Sequence, residues 1–95
     1  MWVLPPVLKA AQAMALLSEW APDLAKGQGP VSIDASGVKD LDSSCVALVL
    51  ALKRRAQASQ RPLVLVAPST ALVALIGAYG LASVLLADAP SEAAV

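Results

Sequence analysis

IDASGVKDLDSSCVALVLAL, residues 33–52, is the stretch that decides the fold of this chain. The β-branched Val31 and Ile33, directly after Gly29-Pro30, predict a short buried strand that leads into it. The polar run Asp42-Ser43-Ser44 stands immediately before a long apolar segment, as residues at the start of a helix do. A strand, a short loop and a helix therefore follow one another within this one stretch.

The three polar residues at the predicted helix start have two possible roles. Each has a side-chain oxygen that can accept a hydrogen bond from a free N–H group of the first turn, and one such cap contributes about 1 kcal/mol. A helix N-terminus also accommodates added negative charge, so Ser43 and Ser44 are candidates for phosphorylation or docking. Three such residues exceed what one cap requires, and both interpretations are open at this point.

This order of residues resembles the signature of STAS domains, the family of anti-sigma-factor antagonists and sulfate-transporter C-terminal modules. The family's pattern is an apolar strand ending in Asp-x-Ser, a short loop, and Asp-Ser-Ser-Gly or Asp-Thr-x-Gly at the start of the next helix. Asp34-Ala35-Ser36 and Asp42-Ser43-Ser44 match it. Cys45 departs from it, because the family usually has Gly there.

The resemblance implies two alternative functions. In the anti-sigma-factor antagonists a partner kinase phosphorylates the second Ser of the motif, which is Ser44 here. In the small STAS subunit of the bacterial Mla phospholipid transporter, the first hydroxyl of the motif helps to dock the domain on its ABC ATPase, which gives that role to Ser43. Leu75 and Tyr79-Gly80-Leu81 also resemble the Leu…Tyr-Asn-Leu ending of that transporter subunit.

Length and composition set the broad class of the protein. Its 95 residues suffice for a single domain, 1–95, in which 88–95 reads as a loose tail. Seven basic and seven acidic residues give a net charge of zero, so nothing indicates nucleic acid or an anionic membrane surface as a partner. No apolar run reaches the ~20 residues of a membrane-spanning helix, and no basic region precedes the apolar N-terminus. We therefore expect a cytoplasmic protein without direct membrane insertion.

The rest of the chain predicts alternating strands and helices. The predicted elements are a strand at Trp2-Val3-Leu4, a helix from Val7 to about Trp20, a helix from Ser44 to about Ser59, a central strand at Leu63–Ala67, a helix opened by Pro68-Ser69-Thr70 and stopped by Gly80, and a short final strand or turn from Leu81 to Leu86. Such alternation predicts an α/β fold, here a small STAS-like sandwich. We expect a mostly parallel sheet of about four strands, three or so helices and a shortened N-terminal edge.

The spacing of apolar residues predicts which side of each helix is buried. The predicted core stripes are Ala10, Ala13, Met14, Leu17 and Ala21 in the first helix, Cys45, Leu48, Val49, Leu52 and Ala56 in the second, and Leu72, Leu75, Ile76 and Tyr79 in the third. Lys53, Arg54 and Arg55 mark the solvent side of the second helix. On this side its N-terminal half is nevertheless apolar, which favours a protein-binding surface. The predicted partner-binding residues are Asp42, Ser43, Ser44, Val46, Ala47, Leu50 and Ala51.

The sequence offers little support for catalysis. It contains no His, so there is no His-based triad or metal site. Cys45 lies on the predicted core stripe and is expected to be a small buried hydrophobe rather than a nucleophile. Asp34 and Asp42 would form an acid–base pair only if a cleft brought them together, and no glycine-rich phosphate loop is present. We therefore expect no catalytic residues, no bound metal and no cofactor.

The leading hypothesis is a non-enzymatic STAS domain that docks on the ABC ATPase of an Mla-type lipid transporter. The alternative is an anti-sigma-factor antagonist that a serine kinase switches at Ser44. A homodimer is also open, because an apolar patch on a neutral domain can pair with its own copy.

Overall fold

The computed structural model describes residues 2–86. The secondary-structure elements are β1 (Trp2–Val3), β2 (Val7–Leu8), α1 (Ala10–Lys26), β3 (Val31–Asp34), β4 (Asp40–Leu41), α2 (Ser43–Ala58), β5 (Leu63–Val66), α3 (Thr70–Ala78) and α4 (Ala82–Leu85). Together they form an α/β fold whose strands pair in parallel, so the predicted fold class is confirmed. The predicted tail at 88–95 lies outside the described residues.

The main sheet has the strand order β1-β3-β5. Its register aligns Ile33 with Leu65 and Val31 with Leu63, and all four side chains are buried in the core. The intervening residues of β3 and β5 are only half-buried. The sheet therefore has one fully buried face. The prediction of a central strand at Leu63–Ala67 was wrong, because β5 forms one edge of this sheet and β3 its centre.

The N-terminal region contains two short strands where the sequence predicted one. Val7–Leu8, predicted as the beginning of the first helix, pairs in parallel with β4 in a second, two-stranded sheet. The amides of Lys39 and Asp40 both donate to the carbonyl of Pro6, which fixes the chain before β2 in place. This pairing of residues distant in sequence overrides the local helical pattern, and α1 begins only at Ala10.

Helix α1 continues beyond the predicted end at about Trp20, through Pro22 to Lys26, which is the further turn that the sequence from Pro22 to Lys26 allows. Proline lacks an N–H group, so the carbonyl four residues earlier, that of Ser18, loses its helical partner. Ser18 is exposed, and water can therefore replace the missing donor. At its other end, the Gln12 side chain accepts a hydrogen bond of 3.0 Å from the Lys9 amide.

The end of α3 confirms the predicted stop at Gly80. Gly80 has φ +69°, and its amide donates to the carbonyl of Gly77 while the amide of Leu81 donates to that of Ile76. This is a Schellman motif, which requires a left-handed residue at this position. The chain then forms the short helix α4, whereas the sequence predicted a strand or turn from Leu81 to Leu86. Within residues 2–86, no helix combines the length and apolar character needed to cross a bilayer.

Candidate docking site

The N-terminus of α2 is capped by a single side chain. Asp42 has an extended backbone, with φ −136°, and its carboxylate accepts a hydrogen bond of 2.9 Å from the Ser44 amide. The Asp42 carbonyl accepts a second hydrogen bond from the Cys45 amide, at 3.0 Å. The predicted helix start is confirmed to within one residue, and Asp42 is the N-cap.

The two serines that follow are not needed for capping. Ser43 is exposed and Ser44 is half-buried, and neither hydroxyl makes a hydrogen bond within residues 2–86. Both hydroxyls therefore stand at the positive end of the α2 dipole and remain available to a partner.

The core face of α2 is the one that the sequence predicts. Cys45, Leu48, Val49, Leu52 and Ala56 are all buried. Cys45 stands where the STAS pattern usually has Gly, and it lies within α2 with no exposed surface. Among the described residues, positive φ values at non-glycine positions occur only at Gln60 and Ala67, so Cys45 needs no glycine-like backbone.

Two predictions for the opposite side of α2 were wrong. Val46 is only 4% exposed, and Lys53 is only 8% exposed although it was expected in solvent. Val46 belongs to the hydrophobic core, and the Lys53 ammonium donates a hydrogen bond of 2.7 Å to the carbonyl of Val84 in α4, which packs against α2. Ala47 is exposed as predicted, while Leu50 and Ala51 are half-buried. The apolar surface of α2 is therefore smaller than the sequence suggests.

A shallow depression lies on the side of α2 that faces α3; we call it the α2–α3 depression. Its volume is about 240 Å³. Its lining residues are Ser43, Val46, Ala47, Leu50, Tyr79 and Leu81. Tyr79 was predicted to be buried but is 54% exposed, because it is the C-cap of α3 and follows its last full turn. The sequence analysis did not place Tyr79 or Leu81 beside Ser43.

A second depression, the α1–α2 groove, lies on the other side of α2. Its volume is about 380 Å³. Its lining residues are Ala10, Ala13, Met14, Leu17, Ser44, Ala47, Leu48 and Ala51. Met14 was predicted to face the core but is 73% exposed. The core contacts of α1 come instead from Ala13, Trp20 and Leu24, which are buried and lie on one side of the helix.

Ala47 lines both depressions, so it forms the ridge between them. Ser43 belongs to one depression and Ser44 to the other. The N-terminal half of α2 therefore presents one free hydroxyl and one apolar hollow on each side. Of the seven residues predicted to bind a partner, the structure brings six into these two hollows, and Asp42 caps the helix that carries them.

The remaining candidates for chemistry have structural roles. The hydroxyl and then the amide of Ser36 donate to the Asp34 carboxylate, at 2.7 and 2.9 Å, and lower the pKa of Asp34. Burial, followed by the negative charge of Asp42, raises the pKa of the Cys45 thiol to about 11, so this thiol is protonated at neutral pH. Within residues 2–86, no group of three or more His, Cys, Asp or Glu side chains could hold a metal ion.

Comparison with known protein families agrees with this geometry. The family model described as "Mlab, STAS domain" matches residues 4–87 of the chain. The chain belongs to the STAS domain family. None of the curated proteins compared with this STAS domain matches it. The matched range includes the loop, cap and helix start from Asp34 to Ser44 and the residues that line both hollows.

Proposed function

We propose that this STAS domain is a non-catalytic, cytoplasmic accessory subunit that docks on the ATPase of an Mla-type lipid ABC transporter. The observation that carries the proposal is the exposed Ser43 hydroxyl, which is free of hydrogen bonds within residues 2–86 and borders the α2–α3 depression. A free polar group beside an apolar hollow is the composition expected of a protein-docking surface. The description of the matching family model supports the choice of this branch.

Docking would bury the helix N-terminus and the apolar ridge together. The Ser43 hydroxyl would form a hydrogen bond with a polar group of the ATPase, and Ala47 and Leu50 would pack in the apolar centre of the interface. If this surface is complementary to one conformation of the ATPase only, binding stabilises that conformation by the difference in contact free energy. The domain then acts as a regulator without chemistry of its own.

The test is affinity purification of the tagged full-length protein from its native host in mild detergent, followed by mass spectrometry. We expect an ABC ATPase and its permease to be recovered with the unchanged protein and to be absent with Ala47→Glu. This substitution should leave the fold intact, because Ala47 is exposed and Glu is a good helix former. Gln28→Glu adds the same charge in the exposed α1–β3 loop and should retain both proteins. Recovery of the ATPase with Ala47→Glu would contradict the proposed surface, and recovery of the tagged protein alone would contradict the proposed function.

The second candidate function is an anti-sigma-factor antagonist switched at Ser44. The observation in its favour is that Ser44 lines the apolar α1–α2 groove and lies next to the Asp42 carboxylate. A phosphate there would add nearly two negative charges at an apolar surface, so a partner would be released by repulsion and by the cost of desolvating the phosphate. Phosphopeptide mass spectrometry of the protein from its host, with Ser44→Ala as the control, decides between the two candidates. A serine kinase in the purified complex together with phosphate on Ser44 would favour the antagonist.

A further inference from the structure

Two arginines, Arg54 and Arg55, lie about one helical turn beyond Ala51, the last residue of α2 that lines the α1–α2 groove. Ala47, Ala51 and Arg55 follow one another at intervals of four residues, so they share one side of α2, and Arg54 is adjacent. Both arginines are exposed, and neither side chain has an acidic partner within residues 2–86. Cations are favourable at the C-terminal end of a helix, but this interaction with the helix dipole does not occupy the guanidinium donors. Both groups can therefore bind an anion.

The walls of the groove are apolar and one of them is adaptable. Met14 is 73% exposed, and an unbranched methionine side chain can adjust its shape to different apolar partners. From Ser44 to Arg55 the groove and its basic end extend about 16 Å along the helix axis, which is about three helical turns. This length matches a helix of about three turns laid along the surface where α1 and α2 meet.

We propose that the α1–α2 groove binds an amphipathic helix of a protein partner whose N-terminal turn carries Asp or Glu side chains. Its apolar face contacts Met14 and Ala47, and its carboxylates pair with Arg54 and Arg55. Acidic residues belong at the N-terminus of a helix, so the bound helix runs antiparallel to α2. The inference rests on the proposed function in one respect, namely that the solvent-facing side of α2 binds a protein partner.

The probes are two hydrocarbon-stapled peptides of about 15 residues, long enough for the groove and held helical by the staple. Both carry Leu at positions i, i+3, i+4 and i+7, and they differ only in having Glu-Glu or Lys-Lys in the first turn. Binding to the ¹⁵N-labelled full chain is followed by NMR at low salt. We expect the Glu-Glu peptide to bind about tenfold more tightly and to shift the amide signals of Met14 and Ala47.

Charge reversal gives the decisive control. In the double variant Arg54→Glu/Arg55→Glu the preference should reverse in favour of the Lys-Lys peptide, and Met14→Glu should weaken both peptides about tenfold. Leu50→Glu, in the α2–α3 depression, should leave both affinities unchanged. No shift at the groove up to about 1 mM peptide, or equal binding of the two peptides, would overturn the proposal.

The same variants separate this inference from the proposed function. In the affinity purification, Leu50→Glu tests the α2–α3 depression, whereas Met14→Glu and the arginine double variant test the groove. If only Leu50→Glu abolishes recovery of the ATPase, docking at the α2–α3 depression is supported and the groove is not part of that interface. Loss with Met14→Glu and with the double variant would support the groove.

Discussion

The ammonium group of Lys53 in α2 donates a hydrogen bond of 2.7 Å to the main-chain carbonyl of Val84 in α4. Lys53 is 8% exposed, so its aliphatic chain lies within the protein and its charged end reaches the last helix. Through this contact α4 is tied to α2 on a side of the helix that the sequence predicted to face solvent.

Loss of this contact should loosen α4 selectively. We expect Lys53→Ala to lower the free energy of unfolding by about 1–3 kcal/mol, because a hydrogen bond to a charged donor and the packing of the aliphatic chain are both removed. Hydrogen exchange at the amides of Leu85 and Leu86 should accelerate more than exchange in β3. Arg54→Ala, at an exposed neighbouring position, is the control and should change the free energy of unfolding by less than about 0.5 kcal/mol. Unchanged exchange in α4 would contradict the role of this lysine.

A second contact holds the C-terminus of α1. The Arg61 guanidinium donates to the carbonyls of Gly29 at 2.8 Å and of Asp23 and Leu24 at 3.2 Å each. A Cβ atom on Gly27 would collide with the Nη1 atom of Arg61, so an alanine there would displace the guanidinium from its present position.

Gly27→Ala should therefore displace Arg61 and lower the free energy of unfolding by about 1–2 kcal/mol, measured by urea denaturation. Gly37→Ala is the matched control, since a Cβ atom there meets nothing within 4 Å and the backbone is not left-handed. It should be neutral or stabilising by up to about 1 kcal/mol, because alanine reduces the freedom of the unfolded chain. Equal effects of the two substitutions would show that the guanidinium contacts contribute little.

Capping of α2 should depend on one residue of the polar run. We expect Asp42→Ala to destabilise the protein by about 1 kcal/mol, because the Ser44 amide loses its acceptor. Ser43→Ala should change stability by less than about 0.5 kcal/mol, since its hydroxyl makes no hydrogen bond within residues 2–86. Both values come from urea denaturation at neutral pH. A large loss with Ser43→Ala would show that the hydroxyl supports the fold and would weaken its assignment to docking.

Stability at alkaline pH should depend on Cys45. The folded protein holds the pKa of this thiol at about 11, whereas the unfolded chain returns it to its ordinary value of 9.0. Between these values the unfolded state binds fewer protons, so the thiol's contribution to stability falls as pH rises. The stability difference between the unchanged protein and Cys45→Ala should thus narrow by about 1–2 kcal/mol between about pH 8 and 10.5. A constant difference across this range would contradict the pKa assignment.

Local signals in the sequence were sufficient for the elements nearest the site. The strand after Gly29-Pro30, the start of α2 within one residue, the core face of α2 and the stop at Gly80 were all predicted correctly. Each depends on residues that are adjacent or one helical turn apart. Turn residues, caps and helical periodicity act over that range, so they can be interpreted without knowing the rest of the fold.

The errors occur where distant parts of the chain meet. Val7–Leu8 forms a strand because β4 lies beside it, and Lys53 is buried with its ammonium bonded to the carbonyl of Val84 in α4. Met14 lies on an apolar stripe that could have faced the core, but Trp20 and Leu24 occupy that side of α1. No pattern within one helix reveals which of two apolar sides another element will cover.

The sequence by itself determined the STAS-like loop, the run of polar residues at the start of α2 and the helix that carries them, whereas the structure showed that Asp42 is the cap and that both serine hydroxyls are free within residues 2–86. Tertiary structure alone decided the shape of the surface around those serines. Burial of Val46 in the core reduced the apolar face of α2, and the packing of α1 against α2 created a groove with Met14 on its wall. The physical reason is that the burial of a side chain depends on which other elements pack against it, whereas capping and helix periodicity depend only on residues nearby in the sequence.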